Sequence, residues 1–305
     1  MSIRDLYISN CRICAKCWML LFAAAMILLF PALSSAMPPG HFLELFPENE
    51  KKSRFFFSMQ ADSQTNDFEK QRERKPEVDS QGEERHYSEI RQSEVTFSQA
   101  GIKAGAAIND LPLLYVTAGY GLADIDFHFT DELTGQKNSY TKNISFESDS
   151  FPVLGGGIAF RFLRKPVFEN SILEAGMDLQ YRWLDFEADE GEITYESTLH
   201  EIQLSLAAGL DMVEWNLFSR IPVSFSPYGG AKIAHFTGDE TYADAANKDA
   251  EGDPDPISYN EDLDPGNHVS FFAGASFPFT QNLLMTIETR FGDDDGYAAS
   301  IIARF

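Results

Sequence analysis

Apolar and polar positions alternate along most of this chain with a period of two. Leu173, Ala175, Met177, Leu179, Tyr181 and Trp183 interleave with Glu174, Gly176, Asp178, Gln180 and Arg182. Ile202, Leu204, Leu206, Ala208 and Leu210 interleave with Gln203, Ser205, Ala207 and Gly209. Successive side chains of a strand point to opposite faces, so this period predicts strands with one apolar face. Ten such segments follow: 53–64, 94–108, 113–128, 151–163, 172–186, 198–210, 220–236, 268–278, 283–291 and 296–305. Most run to ten residues or more, against ~5–6 for an average soluble strand. A bilayer-crossing strand needs ~9–11 residues. Charges and glycines occupy the second face in mid-strand, not only at the ends. The pattern predicts an all-β chain, a transmembrane antiparallel up-and-down β-barrel of about ten strands, between eight and twelve.

The connections fit that topology. With both ends of the barrel on the periplasmic side, the turns 109–112, 164–171, 211–219 and 279–282 are short. The outside loops 65–93, 129–150, 187–197 and 237–267 are long, and 292–295 is tight. Short inner turns and long outer loops are the habit of bacterial barrels. Pro222 and Pro227 weaken the seventh strand, because proline donates no ladder hydrogen bond.

One continuous apolar run, Cys17 to Leu33, follows Arg4, Arg12 and Lys16 and precedes Ser34-Ser35-Ala36. A positive flank, an apolar centre and small residues before the cut mark a cleavable signal peptide over 1–36. Residues 37–52 read as a periplasmic lead-in and 53–305 as the barrel. Cys11, Cys14 and Cys17 have metal-like spacing, but all three sit in the leader and no other cysteine exists to complete a site.

The formal charge is −23. Loss of Arg4, Arg12, Lys16 and Asp5 with the leader takes it to −25. A balance this acidic argues against nucleic acid as a partner, since phosphate recognition wants a basic patch.

Gly296-Tyr297-Ala298-Ala299-Ser300-Ile301-Ile302-Ala303-Arg304-Phe305 resembles the terminal strand of bacterial outer-membrane β-barrel proteins, which end in phenylalanine with apolar residues at every second position. The resemblance implies that Tyr297 and Phe305 form the signal read by the barrel assembly machinery. Pro227-Tyr228-Gly229-Gly230-Ala231 resembles a strand of small opacity-type barrels. Together these imply an integral outer-membrane protein in contact with outer-membrane lipid and lipopolysaccharide.

The phase of the strands turns Lys103, Arg161, Arg182, Lys232, Arg290 and Arg304 inward, with Glu174, Asp178, Glu201 and Glu288. Unpaired buried charge is costly, so these ten are expected to pair as a structural core. A narrow porin-like pore lined by the same charges is the alternative. No cofactor is expected.

Two patterns resemble sites of outer-membrane enzymes. Asp124, Asp126 and His128 resemble the Asp-x-His of omptin proteases, but they share one strand, whereas that family uses opposite walls. His268-Val269-Ser270 resembles the His-x-Ser of outer-membrane lipid A deacylases. Glu288, the mid-strand acid expected near position 273, would lie ~16 Å from His268, too far to orient it. The loop 237–267 carries Asp239, Glu240, Asp244, Asp249, Glu251, Asp253, Asp255, Glu261, Asp262 and Asp264, and 292–296 adds Asp293, Asp294 and Asp295. Dense hard oxygens suit Ca²⁺ or Mg²⁺, which would bridge an acidic protein to lipopolysaccharide. A solvated loop is the simpler expectation. The sequence thus predicts a structural or surface-interaction barrel, not an enzyme.

Overall fold

The computed structural model describes residues 41–46, 54–73, 77–78, 84–85, 87–107, 112–133, 139–168, 171–191, 193–211, 213–217, 221–244, 257–280 and 282–305. The leader and its cysteines lie outside the described residues. One short 3-10 turn, His41–Leu45, precedes fourteen strands. These are β1 (Arg54–Glu73), β2 (Glu77–Val78), β3 (Glu84–Arg85), β4 (Tyr87–Ala107), β5 (Leu113–Leu133), β6 (Ser139–Glu147), β7 (Phe151–Phe168), β8 (Ser171–Glu190), β9 (Ile193–Asp211), β10 (Val213–Leu217), β11 (Ile221–Asp244), β12 (Ile257–Thr280), β13 (Leu283–Gly292) and β14 (Asp294–Arg304).

Hydrogen bonding runs without a gap from β1 through β4, β5, β7, β8, β9, β11, β12, β13 and β14 back to β1, every pair antiparallel. The fold is a closed antiparallel up-and-down β-barrel of ten staves. At the seam, Phe305 N donates to Phe55 O at 2.8 Å and Phe55 N returns the bond to Phe305 O at 3.3 Å. We call the end holding this seam the lower end.

β6 continues the stave of β7 upward. It pairs with the upper part of β5, while β7 pairs with the lower part. Ser148 bridges the junction: Ala123 N donates to Ser148 Oγ at 2.7 Å, and Ser148 N donates to Ala123 O at 2.8 Å. Asp149 N then bonds to Glu187 O of β8 at 3.2 Å. A bulge of this kind bends a stave without leaving its backbone unpaired.

The strands run further than the sequence pattern suggested. Segments 65–73, 87–93, 129–133, 139–147, 187–190, 193–197, 237–244 and 257–267 were expected as loop and are strand. The reason is a change of parity. In the lower half of β5 the apolar side chains Leu114, Val116 and Leu122 face outward, at even numbers. Above them Ala123, Ile125 and Phe127 are buried at odd numbers, and Asp124 and Asp126 face out. β8 switches alike, from outward Leu179 and Tyr181 to inward Leu184, Phe186 and Ala188. A pattern that flips sign looks like the end of a strand, although the backbone continues. The turn 211–219 also differs from expectation, for β10 there folds back on Ile221–Phe225 of β11.

Candidate functional site

Three layers fill the interior. The floor holds Phe42, Leu43, Leu45 and Phe46 from the N-terminal turn, packed with Phe56, Leu113, Tyr115, Tyr228, Phe272, Leu284 and Ile302. The expected lead-in therefore does not stay outside; residues 41–46 plug the lower mouth. Phe42 reaches the wall because Gly176 has no side chain: a Cβ there would lie 2.8 Å from the Phe42 ring. The apolar pairs Phe42-Leu43 and Leu45-Phe46 are the sequence signal for this plug.

Above the floor lies a polar layer. Arg290 reaches Asp62 at 2.8 Å and Glu288 at 3.3 Å, and donates to Gln64 Oε1 at 3.1 Å. Lys232 Nζ sits 2.6 Å from Asp294 and 3.4 Å from Gln64 Oε1. Arg182 grips Glu201 through Nε and NH2. The Lys103 ammonium lies 3.6 Å from the centre of the Tyr115 ring, and Tyr115 donates to Asp178 at 2.7 Å. Gly157 lets this happen, since a Cβ there would occupy the place of the Tyr115 hydroxyl. Lower down, Glu174 accepts from Arg161 at 3.0 Å and from Arg164 at 2.9 Å. The Arg161 guanidinium also stacks on the plug, 5.1 Å from the centre of the Phe46 ring.

Of the ten charges assigned inward from sequence, eight are buried: Lys103, Glu174, Asp178, Arg182, Glu201, Lys232, Glu288 and Arg290. Arg161 and Arg304 are partly exposed near the lower rim. The structure adds Asp62, Asp294 and Tyr115, which the sequence reading did not assign. Asp62 follows the inward parity of Ser58 and Gln60 on β1 and could have been read from it. Asp294 was expected as a loop acid facing solvent, and this is corrected. Only Asp293 separates β13 from β14, so Asp294 opens a strand with inward parity and is fully buried.

The same residue revises the reading of His268. Its acid neighbour is Asp294, with Nδ1 3.5 Å from Oδ1, while Glu288 lies opposite Gly274. Asp294 N donates to Ser270 Oγ at 3.0 Å, and Lys232 engages the other carboxylate oxygen. His268 and Ser270 are buried and face the barrel interior. Small voids interrupt the described interior. One beside Gln60, Thr117 and Arg182 and one beside Leu43, Glu174 and Tyr228 each have room for about one water.

The third layer is an aromatic cap. Val95, Phe97, Ile125, Phe127, Ile144, Phe146, Phe151, Leu184, Phe186, Tyr195, Leu199, Phe236 and Tyr242 form one buried cluster from β4 round to β11. Phe97 meets Phe186 edge-on at 5.8 Å, and Phe127 meets Tyr195 at 5.1 Å. Edge contacts of this kind add ~0.5–1.5 kcal/mol beyond burial.

The outer wall is layered too. A lower belt exposes Phe57, Met59, Ile102, Leu114, Val116, Leu154, Leu179, Leu204, Leu206, Ile233 and Ile287. Tyr120, Tyr181 and Tyr297 stand near its upper edge, and Phe55, Phe162 and Phe305 near its lower edge, all exposed. Above the belt the described outward residues include Glu94, Asp124, Asp126, Glu147, Asp149, Asp185, Glu187, Asp189, Glu196 and Asp239, with no lysine or arginine among them. Asp124 and Asp126 face outward here and line no cleft; the His128 side chain lies outside the described residues. Ser145 Oγ donates to Asp126 at 2.5 Å. Burial first, then the charges of Glu147 and Asp126, raises the Asp124 carboxyl above the ordinary value. The side chains of the acidic segment 245–264 lie outside the described residues. Among the described residues no group of three acids or histidines is placed to hold a metal ion.

No family model and no curated protein matches the sequence. Solved structures with a similar fold include the outer-membrane protease OmpT of Escherichia coli, at 13% identity and a TM-score of 0.45, covering 85% of this chain and 97% of that one. The transport unit of the autotransporter AIDA-I of Escherichia coli gives 14% identity and a TM-score of 0.33, with 85% and 92% covered. The translocator domain of NalP from Neisseria meningitidis gives 10% identity and a TM-score of 0.20, with 87% and 90% covered. At this identity the likeness concerns the barrel fold alone.

Proposed function

We propose that this chain is an integral outer-membrane barrel with a structural or surface-interaction role, closed to solutes. The closed interior carries the reading: a polar, ion-paired layer between an apolar floor that includes the N-terminal plug and an aromatic cap. The membrane placement rests on the exposed apolar belt edged by aromatic rings, for which water is a poor solvent. A closed sheet is one of two backbone designs that hydrocarbon tolerates. Delivery by a signal peptide and insertion by the barrel assembly machinery, with Tyr297 and Phe305 as the recognised end, belong to this proposal. So do lipopolysaccharide as a neighbour and the absence of a catalytic role.

The test is conductance. Wild-type protein in planar bilayers is expected to give no current steps above baseline. Regular steps from the wild type would overturn the closed reading and favour a narrow pore along the polar layer. Placement is tested apart: the folded protein should fractionate with outer membranes and migrate differently on gels before and after boiling.

A further inference from the structure

We infer that the polar layer binds one resident water, in the void beside Gln60, Thr117 and Arg182, where it braces three staves against each other. This goes beyond the closed-barrel reading and rests on its sealed interior. Gln60 belongs to β1, Thr117 to β5 and Arg182 to β8, no two of which are neighbours in the ring. The void between them has room for about one water.

The room comes from the backbone. Gly101 and Gly119 both line the void and are direct partners in the β4–β5 ladder. A Cβ on Gly119 would lie 2.8 Å from the Gly101 Cα, so the two strands meet here only as glycines.

Three polar groups in its wall have hydrogen-bonding capacity left. Gln60 Oε1 and Thr117 Oγ1 are buried without a protein partner. Native interiors rarely leave such atoms unpaired, and water serves where the protein supplies no partner. Arg182 commits Nε and NH2 to Glu201, and its NH1 reaches only Gln99, at 3.5 Å. NH1 carries two N–H bonds, so one remains to donate. This set selects the ligand. Gln60 Oε1 can only accept, which repels an anion. Arg182 can only donate, which repels a cation, and its charge is already matched by Glu201. A small neutral molecule that donates and accepts suits all three: it donates to Gln60, accepts from Arg182 and shares a bond with Thr117. Three bonds are the usual complement of a buried water. Lys103, opposite Thr117 in the ladder, adds an ammonium that faces the Tyr115 ring and has no hydrogen-bond partner.

The experiment is a high-resolution crystal structure of the full mature chain in detergent, from crystals grown in chloride and in bromide. One water peak should stand within hydrogen-bond distance of Gln60 Oε1, Thr117 Oγ1 and Arg182 NH1, and bromide should add no anomalous signal there. Thr117→Val, nearly the same in shape, should cut the occupancy of that water by at least half. Gln60→Leu with Thr117→Val should abolish it. No peak in the wild type overturns the site, as does either oxygen turned onto a protein donor. A bromide peak overturns it in favour of an anion, and full occupancy in the double variant overturns the assigned partners. Boiling-dependent migration confirms that each variant is folded, and Thr117→Val serves if the double variant is not. Without such crystals, a nuclear Overhauser contact between water and the Gly101 α protons reads the same site in detergent. It should be present in the wild type and at least halved in Thr117→Val, and its absence from the wild type overturns the site. Current steps from the wild type would sink the sealed interior instead.

Discussion

The lower and upper halves of the same strands are built with opposite polarity. Below, Ile202, Leu204 and Leu206 of β9 face out, and Glu201, Gln203 and Ser205 face in. Above, Tyr195 and Leu199 face in, and Glu196 faces out. In the proposed placement the lower half answers to a solvent that cannot hydrogen bond, so apolar groups line its outside and polar groups satisfy one another inside. The upper half answers to water and resembles a soluble domain turned right side out. On that proposal one barrel meets two solvents without changing its backbone, and the switch from Leu122 to Ala123 marks the boundary on β5. The two halves should consequently fail in different ways.

The sharpest break is a charge in the cap. Phe186→Asp should cost about 4 kcal/mol or more, because a buried carboxylate finds no partner among aromatic rings. Limited proteolysis should then cut the upper segments while the lower barrel still shifts on boiling. Loss of both halves together would refute their independence. Next comes the polar layer: Arg182→Met should cost about 3–5 kcal/mol by stranding Glu201, whereas Arg182→Met with Glu201→Leu should return close to the wild type. Melting in detergent, read as a double-mutant cycle, checks it. On the outside, Leu204→Arg in the belt should cost about 2–4 kcal/mol in refolding into bilayers, and Thr198→Arg above the belt well under 1 kcal/mol. Similar costs at both positions would erase the boundary.

The smallest effect is electrostatic. Asp124 has its folded pKa raised, by burial and then by Glu147 and Asp126, so its contribution favours folding below its unfolded pKa and is lost as pH rises through the folded one. Asp124→Asn should therefore stabilise the protein slightly at neutral pH, by some tenths of a kcal/mol, with the gain vanishing in acid. Paired melts at pH 4 and pH 7 decide it.

The parity rule made the lower half legible in the sequence and concealed the upper half. Period-two runs such as Leu173 to Trp183 gave the staves, their phase and most of the buried charges. Phase was lost where the solvent changes, so strand above residue 64 of β1, before residue 94 of β4 and beyond residue 236 of β11 read as loop. Asp294 was misplaced for a related reason: composition suggested a solvated acidic loop, but a one-residue turn put it into register facing Lys232. The plug escaped because Phe42 and Leu45 act through tertiary burial, which no local period encodes. Pairings across the interior, such as Arg290 with Asp62 or Tyr115 with Asp178, depend on stagger between distant strands and cannot be read from either strand alone.

The shortness of the β13–β14 hairpin has a mechanical corollary. β14 stops pairing with β1 at Asn66, and β13 stops pairing with β12 at Ser270. Higher up, β1 and β12 each keep a neighbour on one flank only, β4 and β11 respectively. Among the described residues β6 likewise ladders only with β5, so the protruding wall is an interrupted ribbon with free margins, not a ring. Pro265 blunts one margin, since it offers no N–H for an incoming strand. The clasp of its aromatic rings helps keep such a ribbon rolled, so whatever loosens them should let it unfurl from those margins like an opened scroll while the hoop beneath stays shut.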